Sequence, residues 1–128
     1  MRDTIAALER GVQDEDLKAI GKLVSERYED VEQHDRAAVL AALRMYFARY
    51  PNIHLLTRVT AIEIAPSAGQ PARAAVVVAM ASFPMKKAED TVRLHADVFR
   101  FDLTLVEEAS GQWTVTRAGW QAATAEDL

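Results

Sequence analysis

The stretch His95-Ala96-Asp97-Val98-Phe99-Arg100-Phe101-Asp102-Leu103-Thr104-Leu105 decides the fold. Its period is two: Phe99, Phe101, Leu103 and Leu105 share one face of an extended strand, and Arg100, Asp102 and Thr104 share the other. Outward from it, alternation over residues 93–107 is matched by three further extended segments at about 53–64, 72–83 and 112–122. Breaks separate them at Pro66 to Pro71, at Pro84 to Asp90 and at Ser110-Gly111.

Before Pro51 the period is helical. Ile5, Leu8 and Val12 recur at three- and four-residue spacing, and Gly11 loosens the end of that helix. Asp14 is placed to cap a second helix with the stripe Leu17, Ile20, Val24 and Tyr28. Asp35 caps a third, with Val39, Leu43, Tyr46, Phe47 and Tyr50 on its apolar face, and Pro51 stops it. Helices segregated ahead of antiparallel strands define an α+β class, with the helices covering one face of a curved sheet.

The 128 residues make one domain, 1–128, with 50% apolar and 27% charged residues, the balance of a folded globule. Residues 1–50 carry 8 basic and 10 acidic groups and residues 51–128 carry 7 and 9, so each part stands at −2. That even, slightly acidic balance offers no basic face to a polyanion, and no nucleic-acid partner is expected. The absence of cysteine excludes a thiolate nucleophile and a sulfur-ligated zinc. Met1-Arg2-Asp3-Thr4 opens directly into a helical pattern, and the uncharged run from Ala74 to Met85 is too short to span a bilayer. The expectation is a cytoplasmic protein with no membrane partner.

Ala74-Ala75-Val76-Val77-Val78-Ala79-Met80-Ala81 is apolar on both faces. Three helices cover one side of a sheet, so the other side calls for a partner, most simply a second copy of the chain through the sheet face. The competing explanation is that small alanine side chains are tolerated at a surface.

The order of these segments carries a resemblance. Leu17, Ile20, Leu23 and Tyr28-Glu29-Asp30 are followed by Arg44-Met45-Tyr46-Phe47. Asn52-Ile53-His54-Leu55-Leu56-Thr57-Arg58-Val59, Phe99-Arg100-Phe101-Asp102-Leu103, Trp113-Thr114-Val115 and Trp120 come next. The chain resembles the nuclear transport factor 2-like superfamily, in the SnoaL-like, cystatin-like sense, and within it a bacterial branch. The resemblance implies three N-terminal helices packed in a strongly curved antiparallel sheet of about four strands, a cone with a cavity at its open end. Its members include ketosteroid isomerase, scytalone dehydratase, polyketide cyclases and transport factors without catalysis, so fold does not choose among activities. The carboxylate base and Tyr/Asp oxyanion site of the isomerase do not map residue by residue onto Tyr28, Asp97 and Asp102, nor does the His/Asp arrangement of the dehydratase transfer.

Within such a cone, parity is the sharpest guide to a site. His95 and Asp97 share the face of Phe99 and Phe101, and both point inward if no bulge intervenes, about 6–7 Å apart at Cα. Tyr28 ends a helical stripe with its hydroxyl within reach of the cavity, while Asp30 and His34 sit in a polar connection at the lip, where solvation is the simplest reading. Trp113 reads as core; Trp120, of opposite parity and following Gly119, lines a pocket, an interface or an edge. Met80 and Phe83 read as core first and cavity wall second. His54 and Arg58 share a face with Leu56 and Ile62, which leaves the inner face of that strand open; Arg58 could bind a carboxylate or join a cross-strand ion pair.

His34, His54 and His95 lack metal-ligand spacing, and neither a nucleophile elbow, a phosphate loop nor a dinucleotide fingerprint is present. No metal and no cofactor are expected. The leading expectation is a non-catalytic domain binding a small apolar molecule with a polar handle, through His95, Asp97, Tyr28 and Trp120, as a homodimer. The alternatives are a proton-transfer enzyme of isomerase, dehydratase or cyclase type, and a protein-interaction module.

Overall fold

The computed structural model describes residues 1–50, 53–64, 70–82, 95–108, 110–124 and 126, with the backbone alone at Ser82, His95 and Ala96. The elements run α1 (Arg2–Gln13), α2 (Leu17–Leu23), β1 (Val24–Asp30), α3 (Arg36–Arg49), β2 (Ile53–Glu63), β3 (Ala72–Ser82), β4 (His95–Glu107) and β5 (Trp113–Ala122). Three helices and four of the strands stand where periodicity put them. Asp35 caps α3 by accepting from the Ala38 amide at 2.8 Å. For α2 the cap is Asp16 rather than Asp14, with the Ala19 amide at 3.1 Å. Gly11 lies inside α1, where a Cβ would stand 2.7 Å from Ile20 Cγ1. The missing side chain lets α2 approach α1. The Pro51 stop falls outside the described residues.

The sheet differs from the expected cone in three respects. It has five strands in the order β1-β5-β4-β3-β2, it is mixed because β1 runs parallel to β5, and it is neither closed nor strongly curled. The extra strand is the second half of the expected second helix. Ile20, Val24 and Tyr28 have helical spacing, but α2 stops at Leu23 and Val24–Asp30 pairs with the bare edge of β5, in register Val24↔Val115 and Asp30↔Ala118. Tyr28 therefore belongs to a strand, not to a helix. An edge that offers backbone partners outweighs a few tenths of a kcal/mol per residue of helix propensity.

The helices pack on the face of Leu55, Thr57, Val59, Val76, Val78, Phe101, Leu103 and Leu105, which joins Ile5, Leu8 and Val39 in the main core. This settles the inner face of β2. Thr57 Oγ1 donates to Glu9, the Leu55 amide donates to Gln13 Oε1 at 3.1 Å, and Thr4 Oγ1 donates to the Trp113 carbonyl at 3.1 Å, so α1 crosses the sheet from β5 to β2. His54 and Arg58 face outward and are exposed. A second cluster, Ile20, Phe47 and Ile53, joins the helices to the start of β2.

A register shift between Thr104 and Leu105 brings Trp113 and Val115 onto the face of Ala118 and Trp120. Both tryptophans, despite opposite parity, pack against the main core. On the outer face, Val77 is 2% exposed within a single chain. It stands directly between Arg58 of β2 and Arg100 of β4, whose aliphatic stems can lie over a neighbouring apolar side chain. Leu105, 0% exposed, sits at the shift where β4, β5 and α1 residues meet in one cluster. Leu105→Ala should cost about 3 kcal/mol, read as a lower denaturation midpoint at unchanged slope.

Candidate functional site

Tyr28 and Asp30 are two residues apart on β1, so both point to the inner face. The Tyr28 hydroxyl donates to Asp30 Oδ2 at 2.9 Å. The chain turns immediately afterwards, and Asp30 Oδ1 accepts the amides of Glu32 (2.9 Å) and His34 (3.1 Å). His34 Nδ1 lies 3.1 Å from Oδ2 and 3.2 Å from Oδ1. The Asp30 side chain is 0% exposed and that of His34 is 28% exposed. Burial alone raises the Asp30 carboxyl, but the hydrogen bonds from His34, Tyr28 and Glu32 outweigh it and hold the group below the ordinary carboxylate range. Burial, its hydrogen bond to Asp30 and the Asp30 charge push the Tyr28 phenol upward, so it stays protonated as a donor. An ionised carboxylate accepts only, which assigns the proton of neutral His34 to Nδ1 and leaves Nε2 with its lone pair.

The floor beside this pair is aromatic. Asp30 is in register with Ala118, and two residues further along β5 Trp120 faces Phe101. Their ring centroids are 6.1 Å apart, and those of Phe99 and Phe101 are 6.3 Å apart. All three rings are only half-buried although they lie on the helix side. Asp97, half-buried and opposite Met80, precedes Phe101 by four residues, about 13 Å along the strand. Tyr46 of α3 reaches that end. Burial first, then the Asp97 charge and then Tyr50 raise its phenol, and its ring stands 4.9 Å from that of Tyr50.

Of the four residues expected to bind a ligand, Tyr28 and Trp120 thus share one cluster with Phe101, and Asp97 stands at the far end. The side chain of His95 lies outside the described residues, as does Phe83. Asp30 and His34, which looked solvated in sequence, are joined to each other, to Tyr28 and to the turn amides by hydrogen bonds. The signal that finds them is the Tyr28-Glu29-Asp30 alternation, legible once the segment is read as a strand. Among the described residues no group of three or more His, Asp and Glu side chains is arranged to hold a metal ion. The sheet that would enclose the cavity of a cone is not closed. Two depressions of about 450 and 480 Å³ lie away from the aromatic floor, one by Met1 and Ile62, the other by Lys22 and Arg27.

Solved structures share this architecture. A ketosteroid isomerase-like protein from Erwinia carotovora atroseptica superposes with a TM-score of 0.73 at 12% identity, over 96% of this chain and 93% of that one. A nuclear transport factor 2-like superfamily protein from Salmonella enterica Typhimurium gives 0.73 at 10% identity, over 96% and 89%. The chain has the nuclear transport factor 2-like fold. A further protein of that fold from Streptomyces avermitilis, provisionally assigned as a dehydratase, gives 0.75 at 13% identity over 95% and 93%. No protein-family model matches the sequence, and no curated protein matches it significantly. The resemblance read from segment order therefore holds at the level of the fold. Among the described residues, no helix is long and apolar enough to cross a membrane.

The lowered Asp30 carboxyl makes stability depend on pH. Its contribution is fully present above the unfolded-state value of 3.8 and is lost as pH falls through the lower folded-state value. Acid titration of the melting temperature should show a loss of stability below about pH 4 that is smaller in Asp30→Asn. At pH 7, Asp30→Asn should itself melt lower than the wild type, because Oδ2 no longer accepts from both Tyr28 and His34.

Proposed function

We propose that the protein is an enzyme that moves a proton on a small, mostly apolar molecule, with His34 as general base. The observation that carries this is the buried Asp30 carboxylate holding His34 through Nδ1 while the ring stays reachable. A base needs a fixed tautomer, an exposed lone pair and a counter-charge for the imidazolium it becomes. Asp30 supplies the first and third, and the 28% exposure of His34 supplies the second. In the proposed cycle Nε2 takes a proton from an activated carbon or hydroxyl of the substrate. Asp30 steadies the resulting cation, whose exposed Nε2 proton exchanges with water, and Nε2 then gives a proton to another substrate atom or to a leaving hydroxyl. Tyr28 is committed to Asp30 and acts as a positioning residue.

Phe99, Phe101 and Trp120 offer the apolar part of the substrate a surface to stack on. Asp97, with Tyr46 beside it, would hold a polar handle at the other end. Fold-level kinship with an isomerase-like protein and a provisionally assigned dehydratase supports the reaction class without specifying it. The test begins with a thermal-shift screen of apolar acids, sterol-like compounds and polyketide fragments. Hits are then followed by NMR for incorporation of solvent deuterium. With a binding compound, exchange should fall at least about 100-fold in His34→Gln while the thermal shift survives. Trp120→Ala should lose the thermal shift itself. Binding without exchange in the wild type would make the domain a non-catalytic carrier.

The proposal also includes a second copy of the chain on the outer sheet face. Leu56 is 63% exposed there, in line with Ala79 and Val98 on the neighbouring strands. Sedimentation should show a dimer that Leu56→Lys converts to monomer at the same concentration.

A further inference from the structure

We infer that the depression between α2, β1 and α3 is a second binding site, for a small oxyanion such as a phosphoryl or carboxylate group. It is lined by Lys22, Ser25, Glu26, Arg27, Arg36 and Glu108, among others, and has a volume of about 480 Å³. It shares no residue with the aromatic floor or with the Asp30–His34 pair.

The strand itself builds this site. β1 is in register with β5 at Val24 and again at Glu29, with a shift between them. Ser25, Glu26 and Arg27 lie in that irregular stretch, and all three line the depression. Irregular pairing of this kind re-aims side chains that a regular ladder would hold elsewhere. The Arg27 amide donates to Ser25 Oγ at 3.1 Å, which fixes the local turn. Ser25 is 4% exposed, and its hydroxyl accepts that bond while its own hydrogen has no acceptor among the described residues.

Arg36 is fixed in the wall. Its Nε donates to the Val24 carbonyl at 3.2 Å and its Nη2 to the Gly21 carbonyl at 2.8 Å. The guanidinium lies against Gly21, where a Cβ would stand 3.1 Å from Nη2. These bonds leave most of its five N–H donors unused. Lys22, Arg27 and Arg36 take part in no ion pair among the described residues.

The unused capacity is therefore all of one kind. Glu108 already accepts from Thr114 Oγ1 at 2.8 Å, which leaves Glu26 as the opposing charge without a hydrogen-bonded partner here. Three cations against two carboxylates give the lining +1 in a chain of net charge −4. A buried hydroxyl, a pre-set guanidinium and two flanking cations match an acceptor-only ligand with several oxygens.

The experiment is a titration of the ¹⁵N-labelled full chain with inorganic phosphate and, separately, with succinate, each against sodium chloride at matched ionic strength. The inference expects saturable shifts at the Gly21, Ser25, Arg27 and Thr114 amides with at least one of the two anions. The anion that gives them distinguishes a phosphoryl from a carboxylate ligand. Arg27→Gln and Lys22→Gln should each weaken that binding about tenfold, whereas Glu26→Gln should tighten it. All three side chains are exposed, so the folded protein is retained. The inference is overturned if neither anion shifts these amides beyond the chloride control, or if affinity is the same in all three variants. His34→Gln should leave this titration unchanged, so its outcome and that of the proton-transfer test stand apart.

Discussion

The Asp30 carboxylate is the interaction on which the described site depends. It lies at the last residue of β1, where the chain must leave the sheet and start α3 six residues later. A buried charge is costly unless its lone pairs are filled, and Asp30 fills them with two turn amides, one phenol and one imidazole. The same bonds end the strand, shape the turn and orient His34. The position of His34 comes from a structural necessity: the donor set that makes the carboxylate tolerable also places the histidine.

The parallel pairing of β1 with β5 is the second constraint. It puts Tyr28 and Asp30 beside Ala118 and Trp120, which are nearly ninety residues later in the chain. The irregular stretch between Val24 and Glu29 has a separate effect, turning Ser25 and Arg27 toward a polar depression. One edge strand therefore serves two surfaces, the aromatic inner face with its final residues and the polar depression beside α2 and α3 with its first.

Much of this was legible in sequence, and the exceptions have physical causes. The period of two in Phe99 to Leu105 located β4 and its inner face, and Asp35 marked the start of α3. Helical spacing at Ile20, Val24 and Tyr28 hid β1, because the preference of a seven-residue segment is settled by what lies beside it. The edge of β5 is a tertiary fact. Reading Asp30 and His34 as solvated followed from that error, since charge in a connection implies water and charge at the inner end of a strand implies partners. Parity alone leaves Trp120 open between pocket, interface and edge; the register shift near Thr116 is what turns it onto the face of the main core. The double-faced apolarity of β3 was read correctly, yet Val77 is shielded within one chain, between two arginines that only cross-strand register brings together.

The open sheet changes what the inner face asks of a ligand. In a closed cone the walls would bury the aromatic side chains; here Phe99, Phe101 and Trp120 remain half-buried on the side the helices cover. Apolar area left in water costs about 25 cal/mol per Å² relative to its burial, so a flat hydrophobic molecule on these rings would recover that free energy directly. Polar groups stand at both ends of the floor and differ in kind. At one end the Asp30 carboxylate is saturated with donors and holds His34; at the other, Asp97 and Tyr46 are half-buried and electrostatically linked. A carboxylate whose lone pairs are filled by its own chain is poorly suited to accept from a ligand. In the proposed reaction the Asp30 end handles the proton and the Asp97 end holds the polar handle of the substrate.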